Sequence, residues 1–100
     1  MIFIYIITPD KKTAKKISRI LLQKKLVGCV NIFPIESMYW WKGRIENSKG
    51  YVIIAKTFRK NYEKVKKLVK ENHPYEIPCI CMFDVKINKL YEKWLKTEVK

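Results

Sequence analysis

Apolar and polar positions in this chain switch between a period near two and a period near 3.6. Ile2-Phe3-Ile4-Tyr5-Ile6-Ile7 is a run of β-branched and aromatic residues closed by Thr8-Pro9-Asp10. It predicts a buried strand followed by a helix start with Asp10 as N-cap. Ala14, Ile17, Leu21 and Leu22 recur at helical spacing until Leu26-Val27, and Gly28 is expected to close that helix in the left-handed conformation. Cys29 to Trp41 reads as a long strand, in which Pro34 cannot donate a ladder bond and so predicts a bulge or a sheet edge. Asn47-Ser48 is expected to make the turn, Gly43 a bend, and Tyr51 to Ala55 the returning antiparallel strand. Tyr62, Val65, Leu68 and Val69 mark a second amphipathic helix that runs to His73. Ile77 to Val85 predicts a fourth strand, and Asn88 a cap for a short closing helix carrying Leu90, Tyr91, Trp94 and Leu95.

The resulting order, βαββαβα, is that of the ferredoxin-like α+β arrangement, a four-stranded antiparallel sheet with two main helices on one face. A sheet covered on one side alternates apolar and polar residues, yet all four strands are apolar at both parities. A second cover is therefore needed, and another copy of the same sheet is the most economical one, which predicts a homo-oligomer. The closing helix folding across that face is the alternative.

Composition narrows the picture further. The 100 residues, 48% hydrophobic and 13% aromatic, suit one domain spanning residues 1–100 with a packed core. No signal pattern opens the chain, and Ile2 to Ile7 is too short to span a bilayer. We therefore expect no membrane association and a cytoplasmic protein. Three cysteines fit reduced thiols better than a disulfide framework. The balance of 22 basic against 9 acidic residues gives a net charge of +13, which raises an anionic partner. However, Lys11, Lys12, Lys15, Lys16, Arg19, Lys24 and Lys25 fall in one helical pattern and Lys60, Lys64, Lys66, Lys67 and Lys70 in another, as solvated faces opposite apolar stripes do.

The candidate chemistry gathers at His73-Pro74-Tyr75-Glu76-Ile77-Pro78 and the Cys79-Ile80-Cys81 that follows, a helix-to-strand junction holding the only histidine and two of three cysteines. His73, before a proline, should end its helix. It reads either as a helix-terminal residue touching the last carbonyls or as a ligand. Imidazole suits copper or zinc, and thiolates favour soft ions such as Cu(I). Cys79 and Cys81, two apart on a strand, share a face and either chelate together or pack in the core. Burial is the expectation for Cys29 and Cys81 as structural thiols. No nucleophile–base pair, paired acids or phosphate loop is present, so no catalysis is inferred.

Pro9-Asp10, Gly28-Cys29-Val30-Asn31-Ile32, the segment from Tyr39 to Glu46, Lys56-Thr57 and the segment from His73 to Pro78 together resemble the CutA divalent-cation tolerance family, over about Ile2 to Leu95. The resemblance implies a trimer of ferredoxin-like subunits with sheets packed around a central axis and the long hairpin reaching a neighbour, as in PII-type signalling trimers. It also implies a role in tolerance of copper and other divalent metals, with no established reaction and no cofactor needed for folding. On that basis His73, Glu76 and Cys79 are the candidate metal ligands, in a site built between subunits. Tyr39, Trp41, Lys56 and Tyr75 are the candidate pocket or interface residues. Two positions depart from the family pattern: Cys79 stands where glutamate is usual, and Gly50 where many relatives carry an acid.

Two other readings follow. The PII likeness suggests a trimeric sensor of a small anionic metabolite. The βαββαβ order is shared with RNA-recognition domains, and Lys49-Gly50-Tyr51 with Ile2-Phe3-Ile4 partly matches their signatures. Val52, Ile53 and Lys56 break that match, so a nucleic-acid partner is not expected.

Overall fold

The computed structural model describes residues 1–100. Its elements are β1 (Ile2–Thr8), α1 (Lys11–Gln23), β2 (Cys29–Trp41), β3 (Arg44–Thr57), α2 (Tyr62–Asn72, entered through a 3-10 turn at Arg59–Asn61), β4 (Ile80–Asp84) and α3 (Lys89–Glu98). The four strands form one antiparallel sheet in the order β2-β3-β1-β4. This is the ferredoxin-like α+β topology that the element order predicts.

Local chemistry explains most boundaries. Asp10 caps α1, its carboxylate accepting from the Thr13 amide at 2.7 Å, which satisfies one orphan donor of the first turn. The expectation that Gly28 closes α1 is not met. The helix ends at Gln23, and the left-handed residue is Lys25, with φ 57, because the amide of Leu26 turns back to the Leu21 carbonyl at 3.1 Å. Gly28 serves another purpose: a Cβ there would run into Leu95 Cδ1 of α3. Glycine is what lets the closing helix seat against the start of β2.

The hairpin turn is also not where the sequence placed it. Asn47 and Ser48 lie mid-strand, paired with Met38 and Ser37. The chain reverses at Lys42-Gly43, both at positive φ (49 and 78), between the paired Trp41 and Arg44. Those two signs suit a primed two-residue turn that matches strand twist. Pro34 sits on an edge strand in an unbroken register opposite Tyr51, so the edge alternative holds and the bulge does not. Strand β4 is shorter than expected, starting at Ile80, and Asn88 precedes α3 without a side-chain cap bond.

The core lies between the sheet and α1/α2. Ile2, Ile4 and Ile6 of β1, Ile53 and Ala55 of β3, Ala14, Ile17 and Leu21 of α1, and Val65 and Val69 of α2 are all buried. Burial of the opposite face is less complete: Phe3, Tyr5 and Ile7 are half-buried, and Phe33 and Phe83 are exposed. The closing helix covers one end of that face. Its Tyr91 ring lies 5.3 Å from Lys56 Nζ, which also approaches the Phe3 ring at 5.8 Å. Of the two expected covers of the second face, the closing helix applies in part: α3 protects one end and leaves the rest open within one chain. No helix is long and apolar enough to cross a membrane.

Pairing of β1 with β3 stops at Thr8 and Tyr51, whereas β2 and β3 pair onward from Ile35 and Gly50 to Trp41 and Arg44. The outer hairpin thus projects past the sheet as a two-stranded arm, and the molecule measures 46 × 25 × 21 Å.

Candidate metal and ligand cleft

The arm and the junction after α2 face each other. Because Ser37, Tyr39 and Trp41 alternate along β2, they share one side of the arm, and Ser48 stands across from Ser37. Pro74 to Ile77 and Cys79 supply the other wall, with Ile7 between them, enclosing a cleft of about 660 Å³. Its volume lies within the range of small-molecule sites, and its walls are largely aromatic and aliphatic.

His73 sets the second wall. Its backbone is extended at the C-cap of α2 (φ −99, ψ 135), as a residue before proline prefers. The ring points back to β1, where Nε2 lies 2.6 Å from the Ile7 carbonyl, and the Tyr75 amide reaches Nδ1 at 3.1 Å. Nε2 must donate and Nδ1 accept, so one neutral tautomer satisfies both bonds. The imidazole is only 9% exposed, and the Tyr75 ring packs against it at 4.8 Å between centroids. His73 therefore contacts a distant strand carbonyl rather than the last carbonyls of its own helix. Neither ring nitrogen keeps a lone pair for a metal ion in this chain.

The remaining candidates divide into two groups. Tyr39, Trp41, Tyr75, Glu76 and Cys79 meet in the cleft. Lys56 does not; it lies at the opposite end of the sheet under Tyr91, with Cys29 paired beside it in the β2–β3 register. Burial pushes the Tyr75 hydroxyl above its usual range, with Tyr39 and Asp10 adding to the effect. The Cys81 thiol is pushed up as well, first by burial and then by the Cys79 thiol next to it. Tyr91 is raised to about 12 by burial and by its hydrogen bond with Cys29. Cys29 and Cys81 are half-buried and Cys79 exposed, all as free thiols, so the two structural thiols lie at the margin of the core rather than within it.

No three His, Cys, Asp or Glu side chains converge, so a site of three or more such donors needs more than one chain brings together. Ser37, Ser48, Met38, Ile7 and Ile77 also line the cleft but carry no chemical signal by themselves. The parity of Ser37 with Tyr39 and Trp41 was available from sequence; the expected turn at Asn47-Ser48 hid the pairing that brings Ser48 opposite.

A four-stranded antiparallel sheet with its helices on one face, an open second face and a projecting two-stranded arm defines the ferredoxin-like α+β class. The family model described as CutA1 divalent ion tolerance protein matches residues 2–98, and the chain belongs to that family. It is 45% identical over 83 residues to the divalent-cation tolerance protein CutA of Archaeoglobus fulgidus, covering 83% of this chain and 81% of the relative. The structure of the periplasmic divalent cation tolerance protein CutA from that organism superposes with a TM-score of 0.97 at 40% identity, with both chains fully covered. The PII-like protein CutA from Nostoc sp. PCC 7120, in apo form, superposes with a TM-score of 0.92 at 27% identity, over 100% of this chain and 98% of that one.

Proposed function

We propose that this chain works as a cytoplasmic homotrimer in the response to divalent or soft metal ions, copper among them, by binding them at the cleft mouth without catalysing a reaction. The observation that carries this reading is the incomplete donor set there. Glu76 offers a carboxylate and Cys79 an exposed thiol, and a neighbouring chain must add what a closed coordination shell lacks. His73 supports the site by fixing the loop that carries both. The open face, with Phe33 and Phe83 exposed, supplies the apolar surface that an assembly would bury. Three free thiols favour a reducing compartment, although the Archaeoglobus relative is named periplasmic.

Light scattering of the reduced protein tests the assembly. Three times 12.0 kDa gives a particle of about 36 kDa, and a mass near one chain would remove the trimer. Titration with Cu(II), Zn(II) and Cu(I), read as a rise in melting temperature, tests the binding. No rise with any of the three would end the metal reading.

The cleft itself favours a second reading. Its volume of about 660 Å³ and its Tyr39, Trp41 and Tyr75 walls suit a small metabolite, in line with the likeness to a PII-like protein. A panel of anionic metabolites with no stabilising compound would leave that reading without support.

A further inference from the structure

We propose that Cys79 and Cys81 of a single chain form a two-coordinate clamp for a soft, thiophilic monovalent cation of the Cu(I) type. This rests on the metal-responsive reading above but assigns a different donor set, complete without a second subunit and without His73.

Both residues stand on one ladder. The Ile7 amide donates to the Cys79 carbonyl at 3.3 Å, and Cys81 pairs with Tyr5. Two positions apart on extended chain, their side chains leave the same face roughly in parallel, with Cα atoms about 6.7 Å apart. That spacing decides between the two things a thiol pair can do. A disulfide needs its Cβ atoms to approach to about 4 Å, which parallel vectors from an extended strand do not provide. An ion bound linearly between two sulfurs, with metal–sulfur bonds of about 2.3 Å, separates them by about 4.6 Å, which those vectors can span.

The surroundings choose the ion. Tyr5 and Ile7 lie alongside, so the inner half of the clamp is largely apolar, which with two sulfur donors favours a soft cation over a hard, hydrated one. Fewer than three protein donors gather here, which leaves octahedral and tetrahedral ions unsatisfied, whereas a two-coordinate d10 ion needs no more. Cys79 is exposed in the cleft and Cys81 half-buried next to it, so the ion would reach the inner sulfur by way of the cleft. On binding, two S–H bonds release their protons to water and two metal–sulfur bonds form. Copper stays in the +1 state, and no electron is transferred.

The test is a titration of the reduced full-length protein with Cu(I) under anaerobic conditions against a chromogenic Cu(I) chelator, with X-ray absorption at the copper edge. We expect one Cu(I) per chain with two sulfur neighbours and no nitrogen. Cys79→Ser and Cys81→Ser should each lose more than about 100-fold in affinity, beyond the loss typical of outer-shell changes, whereas Cys29→Ser, at the far end of the sheet, binds as the wild type does. Wild-type affinity in Cys81→Ser, a nitrogen neighbour in the spectrum, or rapid closure of a Cys79–Cys81 disulfide that abolishes binding would each overturn the clamp. Stabilisation by Cu(II) or Zn(II) without Cu(I) binding would overturn the clamp alone; no binding of any of these ions would overturn the broader metal reading as well.

Discussion

Ser18 buries a hydroxyl that finds no partner, in a helix position otherwise flanked by core residues. A buried polar group without a hydrogen bond costs about 1–3 kcal/mol, so Ser18→Ala should raise stability by about 1 kcal/mol in urea unfolding, with an unchanged m-value. His73 shows the opposite case. Its ring satisfies the Ile7 carbonyl and the Tyr75 amide together, so His73→Leu leaves two groups unpaired and should cost about 2–4 kcal/mol. It should also loosen the cleft wall, seen as faster amide exchange from Tyr75 onward. The sequence marked His73 as the pivot of the junction and put the helix end there, because a residue before proline leaves the helical region. What it did not reveal was the target of the ring, since the Ile7 carbonyl is 66 positions away. Gly28 teaches the same point. A glycine after a helix suggests a left-handed cap, but here Lys25 takes that conformation, and the need for glycine comes from Leu95 near the other end of the chain.

At the scale of elements, the β2–β3 hairpin turns on a non-glycine residue at positive φ, Lys42. Asparagine tolerates that region better and makes with Gly43 the favoured Asn-Gly pair, so Lys42→Asn should stabilise by up to about 1 kcal/mol. An unchanged denaturation midpoint would show that the turn does not limit stability. The true turn escaped the sequence reading because strand composition continues through it: Trp40, Trp41 and Ile45 look alike on either side, and Asn47-Ser48 supplies turn residues inside a strand. Helix α3 carries a pH signature. The Tyr91 hydroxyl ionises at about 12 rather than its usual 10, so the folded state holds this proton over a range in which the unfolded chain releases it. Its contribution is fully present below pH 10 and is lost as pH rises through about 12. Tyr91→Phe should flatten the decline in stability over that window, and an identical slope in both proteins would show that α3 does not report it.

The whole molecule is under-neutralised. Against a net charge of +13, the ion pairs are Arg59–Asp84, Lys66–Glu63 and Lys96–Glu92, all substantially exposed and worth little each. Self-repulsion among the helix-face lysines should therefore weaken at higher ionic strength. The melting temperature should climb as sodium chloride is raised from low concentration to about 0.5 M, beyond which the Debye length is only a few Å; a flat profile would mean that the lysines are too dispersed to matter. Fold class was legible at this scale because three helical and four strand patterns occur in an order that few topologies accept. The two-sided apolar strands were legible too, while the extent to which α3 shields one end depended on the Gly28–Leu95 fit, which no periodicity carries.

The projecting arm makes one covalent strand into two thermodynamic ones. From Tyr51 to Lys56, β3 is held on both sides, by β1 and by β2, whereas from Arg44 to Gly50 it has β2 alone. A two-stranded ribbon is marginal in water by itself. Amide protons along β3 should therefore exchange with a sharp step in rate between Gly50 and Tyr51 in an isolated chain. The height of that step becomes a gauge: whatever docks against the arm will lower it, and the residues at which the rates converge will trace the footprint of the docked surface.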